Sequence, residues 1–195
     1  MKKVYLKQLY NFDEEHQRYV LELALDEYLE LFNPWDAAPM KKKSMDPELV
    51  NFLEDASEDI PLKDEIEIVF ILPKIEYDLD IESTSRKVFI NYFNFLVHLI
   101  NRELQKFLKQ SLTYILFGFS FLLMSYYLEK LTNGVTLEIV SQGLFIGGWV
   151  FIWESFSLFF FKSRNQNLKK KWYLRLLNCP INFKYHGTDT SSSTK

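Results

Sequence analysis

Two apolar stretches decide the architecture of this chain. Residues 112–128 read LTYILFGFSFLLMSYYL, which is 17 residues without a charge, and residues 139–161 read IVSQGLFIGGWVFIWESFSLFFF, which is 23 residues with Glu154 as the one charge. A helix of about 17–25 mainly apolar residues crosses the roughly 30 Å hydrocarbon core of a bilayer. The two stretches therefore predict a transmembrane helical hairpin, with spans at about residues 111–131 and 139–161.

The alternative is a pair of helices buried in the core of a soluble protein. A chain of 195 residues lacks the further elements that would cover two such helices on every side, so the transmembrane interpretation is favoured. Cytoplasmic loops are enriched in Lys and Arg. The connection between the spans, residues 129–138, holds only Lys130, whereas the outer flanks hold Arg102, Lys106, Lys109, Lys162, Arg164, Lys169, Lys170, Lys171 and Arg175. This asymmetry predicts that both termini are cytoplasmic.

The formal net charge of −3 conceals two oppositely charged halves. Residues 1–82 carry 21 acidic and 9 basic side chains, whereas residues 83–195 carry 5 acidic and 14 basic ones. Nucleic-acid binding is disfavoured, because the acidic half would repel phosphate and the basic half is predicted to lie against the bilayer. With 48% hydrophobic residues and a single cysteine, Cys179, the chain is neither disordered nor a disulfide-stabilised scaffold.

Outside the spans, the pattern predicts an α+β cytoplasmic domain built from both ends of the chain. Alternating apolar residues predict strands at residues 4–9, 19–25 and 65–72, and a short strand at 181–185 that joins the same sheet. Helices are predicted at residues 27–32 and from Asp46 to about Ser57, with Pro47 in the first helical position. A long helix is predicted to begin at Ser83 and to continue into the first span.

These elements divide the chain into five predicted segments. They are an α+β domain over residues 1–82, an amphipathic helix over 83–110, the hairpin over 111–161, a basic helix and short strand over 162–186, and a disordered tail over 187–195.

Small and polar residues within the spans are the candidates for helix packing or oligomerisation. In the second span, Gly143, Gly147, Val150, Glu154 and Ser157 recur on one helical face, and small residues allow close approach of a neighbouring helix. Gly118 and Ser125 lie seven residues apart on the first span. An antiparallel register with Ser111 level with Phe161 would place Glu154 opposite Gly118 and Gly147 opposite Ser125. This arrangement suits packing within one hairpin and packing between copies equally well.

Glu154 is the most informative single residue of the spans. It precedes Lys162 by eight residues, roughly 12 Å of helix rise, and a carboxylate at such depth costs about 2.5–3.5 kcal/mol on insertion scales. One interpretation is a protonated Glu154 that is hydrogen-bonded to Ser157, Tyr114 or a backbone carbonyl within the hairpin. The other is a polar contact between subunits or a group that lines a water-filled path.

The sequence holds no recognisable catalytic machinery. It has no glycine-rich phosphate loop and no nucleophile elbow, and His16, His98 and His186 lack the spacing of metal ligands. The acidic clusters at residues 13–15 and 54–59 are more typical of solvated helix ends than of cation sites. We therefore predict a protein without enzymatic activity, cofactor or metal.

Two motifs carry a resemblance to a known family. Residues 31–36 (LFNPWD), with Pro39, Asp46-Pro47 and Ile60-Pro61, and residues 143–154 (GLFIGGWVFIWE) resemble the two signatures of a widespread family of small uncharacterised bacterial two-span membrane proteins. The resemblance covers about residues 19–185. It implies location in a bacterial inner membrane and implies no activity.

Three hypotheses for function remain open at the level of sequence. The first is a membrane-anchored module whose cytoplasmic domain binds a protein or a small signal and couples it to the hairpin. The second is an effector of an anti-phage or stress response, in which copies assemble through Gly143, Gly147 and Glu154 and depolarise the membrane. The third is a membrane-tethered enzyme with an unrecognised site. The expected partners are the lipid bilayer, a cytoplasmic protein or small signal, and a second copy of the chain.

Overall fold

The structure is a computed structural model, and it describes residues 2–131 and 134–186. The chain divides into two compact units, one within residues 1–97 and 171–195 and the other within residues 98–170. We call these the α+β unit and the hairpin unit. The tail predicted to be disordered, residues 187–195, lies outside the described residues.

A four-stranded mixed sheet organises the α+β unit. Its strands are β1 (Asn11–Asp13), β2 (Arg18–Ala24), β3 (Glu65–Pro73) and β4 (Ile181–His186), in the spatial order β1-β2-β3-β4. The β1–β2 pair is antiparallel, whereas the β2–β3 and β3–β4 pairs are parallel. The strands predicted at residues 19–25, 65–72 and 181–185 are therefore present, and the last joins the sheet as predicted.

One face of the sheet forms the core of this unit. The register aligns Tyr19 with Ile66 and Leu21 with Ile68, and all four side chains are buried. The opposite face is mixed: it buries Val69, while Glu67 lies 3.3 Å from the Arg18 guanidinium and accepts a 2.6 Å hydrogen bond from the Asn182 amide. Alternation of side chains between the two faces of a pleated strand explains this division.

Three helices supply further core side chains of the α+β unit. They are α2 (Pro47–Asp59), the first turns of α3 (Leu79–Leu131), and the end of α5 (Ser163–Asn178). Their fully buried side chains are Leu53, Ala56, Phe89, Phe93 and Leu176. Short 3₁₀ turns occur at Tyr28–Leu31, Met40–Lys42 and Lys74–Glu76.

The beginning of the chain differs from prediction. Residues 4–9 were expected to form a strand, but they belong to helix α1 (Lys2–Leu9). A run this short does not distinguish a period of 2 from a period of 3.6, and Leu6 is the one apolar side chain of the described part of this helix that is buried.

The long helix also begins earlier than predicted. Helix α3 starts at Leu79 rather than Ser83, because the Asp78 carboxylate accepts hydrogen bonds from the backbone N–H groups of Asp80 (2.9 Å) and Ile81 (3.1 Å). Such a cap satisfies N–H groups that have no partner within the helix. The helix then continues without a break for 53 residues.

The hairpin unit consists of the later part of α3, helix α4 (Val135–Phe156), a π-helical segment (Ser157–Lys162) and the start of α5. The helical segments Leu79–Leu131 and Val135–Asn178 each contain a stretch that is long and apolar enough to cross a membrane, by length and composition. Along the chain, this hairpin is inserted between the parallel strands β3 and β4.

Candidate functional site

Three pairs of small residues form the contact between α3 and α4. The pairs are Ser111 with Ser155, Gly118 with Gly148, and Ser125 with Ser141, so that the members recur every seven residues on both helices. Seven residues correspond to about two turns, which is the repeat of helices that pack at a shallow angle. The α3–α4 contact is therefore a regular antiparallel seam.

The serines at both ends of the seam bond to each other and to the facing backbone. The Ser111 and Ser155 Oγ atoms lie 2.6 Å apart, and the Ser155 hydroxyl also approaches the Ser111 carbonyl at 3.1 Å. At the other end, the Ser125 hydroxyl lies 2.8 Å from the Ser141 carbonyl, and the Ser141 hydroxyl 3.0 Å from the Ser125 carbonyl. All four serines are buried, so these hydrogen bonds satisfy polar groups in an apolar surrounding.

The glycines at the centre allow the two backbones to touch. A Cβ atom on Gly148 would lie 2.9 Å from the Gly118 carbonyl oxygen and 2.8 Å from Leu122 Cγ. A Cβ atom on Gly118 would lie 3.0 Å from the Gly148 carbonyl oxygen. Neither position accommodates a side chain without separating the helices.

The register differs from the predicted one. Gly118 faces Gly148 rather than Glu154, and Ser125 faces Ser141 rather than Gly147. The predicted face was chosen from the density of small residues, but α4 carries small residues on several faces. The seven-residue spacing of Gly118 and Ser125 recurs in Ser141, Gly148 and Ser155, and this was the signal that would have identified the facing residues.

The predicted residues of the second span lie mostly outside the seam. A Cβ atom on Gly143 would have no neighbour within 4 Å, and one on Gly147 would meet only the Phe121 ring, at 3.3 Å. Val150 is 61% exposed, and Ser157 begins the π-helical segment. The hairpin's own packing thus leaves open the face that carries Gly143 and Val150. Its predicted role in oligomerisation stays a prediction.

Glu154 has a charged partner within its own helical segment. Its Oε1 atom lies 3.8 Å from Lys162 Nζ, and both side chains are about half exposed. The π-helical turn that separates them is a rare type of helix, found frequently at functional sites. Glu154 is therefore paired with Lys162, whereas Ser157, Tyr114 or a backbone carbonyl was predicted as its partner within the hairpin.

In the α+β unit, polar side chains meet near the carboxyl end of β4. The Tyr185 hydroxyl lies 2.6 Å from that of Tyr28 and 3.3 Å from the Glu82 carboxylate, which in turn accepts a 2.7 Å hydrogen bond from Arg86. The Arg86 guanidinium also lies 5.0 Å from the centre of the Phe183 ring. No sequence motif indicated this cluster, because its members come from three separate parts of the chain.

The electrostatics of this cluster disfavour nucleophilic chemistry at Tyr185. Burial, together with the neighbouring Tyr28 hydroxyl and Glu82 carboxylate, raises the pKa of Tyr185 well above its ordinary value. The phenol therefore stays protonated and acts as a hydrogen-bond partner. The cluster attaches the end of β4 to the first turns of α3.

The acidic clusters considered as cation sites are engaged with other side chains. Asp13 lies 2.7 Å from the His16 ring, and the carboxylate of Glu14 lies 2.6 Å from Lys7 Nζ. Asp59 accepts a hydrogen bond from Tyr10 at 3.2 Å, and Glu54 accepts one from Tyr173. Within residues 2–131 and 134–186, no three side chains of the metal-ligating types are grouped.

Comparison of the chain with protein-family models, with curated proteins and with solved structures finds no match.

Proposed function

We propose that this chain is a two-pass protein of a bacterial inner membrane, with a cytoplasmic α+β domain that binds a protein or a small signal and couples this binding to the hairpin. The observation that carries the proposal is the position of the hairpin within the connection between β3 and β4. Helix α3 leaves one strand of the core and helix α5 leads back to the next, so both spans are covalently continuous with core elements of the α+β unit.

The membrane location is supported by exposed apolar surface. Helices in the core of a soluble protein are mostly buried, but only 17% of each apolar stretch is buried here. Leu116 is 70% exposed and Trp153 is 73% exposed. Soluble monomers rarely leave such large contiguous apolar surfaces in water, whereas a bilayer would cover them.

Coupling through the helices is supported by what α3 contacts. The same helix contributes Glu82 and Arg86 to the polar cluster, Phe89 and Phe93 to the core, and Gly118 to the hairpin seam. Small shifts of a packed helix are a common means of transmitting a binding event. A ligand or partner that displaces the start of α3 would bias the hairpin.

The topology is tested by labelling single cysteines with a membrane-impermeant maleimide in intact bacterial cells. In a Cys179→Ser background, Gly134→Cys probes the connection between the helices, and Arg164→Cys probes the basic flank. We expect Gly134→Cys to react in intact cells and Arg164→Cys to react only after lysis. Labelling of both positions before lysis, or recovery of the chain in the soluble fraction, would contradict the proposal.

The open face of α4 favours a second candidate function, the depolarising effector. Gly143, Val150 and the half-exposed Glu154 are left uncovered by the hairpin and would be available to another copy. This function predicts rapid loss of membrane potential on expression, abolished by Glu154→Gln and retained in Glu138→Gln, a matched change at the other end of α4. An unchanged potential with tolerated, membrane-inserted protein would exclude the effector and favour the coupling module.

A further inference from the structure

A cleft of about 660 Å³ lies in the α+β unit, between the 3₁₀ turn Met40–Lys42 and the first turns of α3. Its volume falls within the range of roughly 300–1,000 Å³ that is typical of small-molecule sites. The wall formed by α3 is one helical face, whose members recur at three- and four-residue steps from Asp80 to Asn91. Met40, Ile81 and Val88 give the cleft an apolar floor.

Two ammonium groups from distant parts of the sequence line this cleft. Lys41 comes from the turn and Lys87 from α3, and both side chains are exposed. Among the described residues, neither amine has a hydrogen bond or an ion pair. An anion bound in this cleft would be attracted to both ammonium groups. The lining carries these two positive charges against one carboxylate, that of Asp80, although the domain as a whole is acidic.

The remaining polar lining includes groups that can donate hydrogen bonds to a ligand. The Thr84 hydroxyl and the Asn91 carboxamide lie on the same face as Lys87, whereas the Ser83 hydroxyl already donates a 3.1 Å hydrogen bond to the Asp80 carbonyl. Asp80 contributes the one carboxylate, which accepts hydrogen bonds only. A phosphate group presents several acceptor oxygens, and lysine is a common phosphate-binding side chain. The donors can bind the oxygens of a phosphate group, and Asp80 can accept a hydrogen bond from a hydroxyl group of the same ligand. The apolar lining residues can contact the carbon atoms of the ligand.

We propose that the Lys41–Lys87 cleft binds a phosphate ester of small-molecule size that also bears a hydroxyl group. This inference rests on the proposed function, since it names the chemical class of the signal that the cytoplasmic domain receives. The ligand's phosphate belongs either to a soluble metabolite or to a lipid headgroup, because the two share this chemistry. Its contacts with α3 would lie on a different face from those of Glu82 and Arg86, which face the polar cluster.

The test is protection of individual lysines from acetylation, measured by mass spectrometry on the full chain in phosphatidylcholine nanodiscs. Glycerol 3-phosphate is the soluble probe, and glycerol with matched ionic strength is the control. Nanodiscs that contain phosphatidic acid provide the lipid arm. Lys42, which lies next to Lys41 in sequence but does not line the cleft, and Lys63 are the internal references.

We expect Lys41 and Lys87 to be acetylated at least about threefold more slowly at a ligand concentration of twice the dissociation constant or more, with Lys42 and Lys63 unchanged. Protection by glycerol 3-phosphate in phosphatidylcholine assigns a soluble ligand, and protection only with phosphatidic acid assigns a lipid headgroup. Lys87→Gln should abolish the protection of Lys41, whereas Lys42→Gln should not.

Protection in neither arm, or equal protection of Lys42 and Lys63, would overturn the inference. The proposed function would survive that result, because the cysteine-labelling experiment tests the topology independently. Conversely, the cysteine labelling could contradict the two-pass topology while Lys41 and Lys87 are selectively protected. The cleft would then be a phosphate-ester site on a protein of different architecture.

Discussion

At the scale of single residues, the glycines of α4 are not equivalent although they lie in the same span. A Cβ atom on Gly148 would come within 2.9 Å of backbone, whereas one on Gly143 would meet nothing within 4 Å. Gly148→Ala should therefore destabilise the hairpin by about 1–3 kcal/mol, the usual cost of overpacking. Thermal unfolding in detergent should show a lower midpoint temperature for Gly148→Ala and an unchanged midpoint temperature for Gly143→Ala. Equal midpoint temperatures for the two variants would contradict the close contact of Gly118 with Gly148.

Cys179 illustrates how local burial controls reactivity. Burial raises the pKa of its thiol to about 12, and its Sγ donates a 3.1 Å hydrogen bond to the Leu176 carbonyl. The thiolate is the reactive species. Below about pH 12 the folded chain therefore holds the inert thiol, whereas the unfolded chain ionises near its ordinary value. We expect iodoacetamide at pH 8 to modify Cys179 on the order of a thousandfold more slowly in the folded than in the urea-unfolded chain. Comparable rates would show that the thiol is accessible and unperturbed.

At the scale of elements, the beginning of α2 depends on a side-chain cap. The Asp46 carboxylate accepts hydrogen bonds from the backbone N–H groups of Glu48 (2.8 Å) and Leu49 (3.1 Å), and Pro47 occupies the first helical position. Asp46→Ala should lower the free energy of unfolding by about 0.5–2 kcal/mol, whereas Asp46→Asn should retain most of the cap. Chemical denaturation measures the free energy of unfolding of both variants. An equal decrease for Asp46→Asn and Asp46→Ala would show that the cap is unimportant.

The end of α2 is held by an arginine from α5. The Arg175 guanidinium donates hydrogen bonds to the carbonyls of Ser57, Ile60 (3.0 Å) and Pro61 (3.0 Å). Lysine cannot reproduce this planar fork of donors, so Arg175→Lys should cost about 1–3 kcal/mol through unsatisfied buried carbonyls. Arg164→Lys, an exposed position on the same helix, is the control and should have no effect on the unfolding transition.

At the scale of the whole molecule, the last strand completes a sheet whose other parallel strands come from before the hairpin. Residues 68–73 of β3 pair with residues 181–186 of β4. Removal of residues 180–195 would expose one edge of β3 and the buried Ile68 and Phe70, so the truncated chain should aggregate or be degraded. Removal of residues 188–195 leaves every described strand intact and should be tolerated. The two deletion variants are compared by their yield in the membrane fraction and by their resistance to protease. Equal yield and equal resistance would contradict a structural role for β4.

Some of this architecture was predictable because the signal lies in a continuous stretch of sequence. Strand β3 was identified from the alternation of Ile66, Ile68 and Phe70 with Glu65 and Glu67, and the apolar helices were identified from length and the absence of charge. The helix at residues 2–9 was not identified, because a short run with few apolar residues fits two periods. Neither the polar cluster around Tyr185 nor the Lys41–Lys87 cleft was foreseen, since their members are separated by dozens of residues along the chain.

Hydrophobic length and charge are local properties of a chain, so residue order is enough to predict two long apolar helices, joined by a short connection, that separate an acidic from a basic part of the chain. Tertiary packing, in contrast, places the hairpin between two parallel strands and brings Gly118 against Gly148 and Glu154 against Lys162. The face that a helix uses for packing depends on its neighbour's shape. Helix α4 has small residues on several faces, and only its contact with α3 determines which of these faces is used for packing.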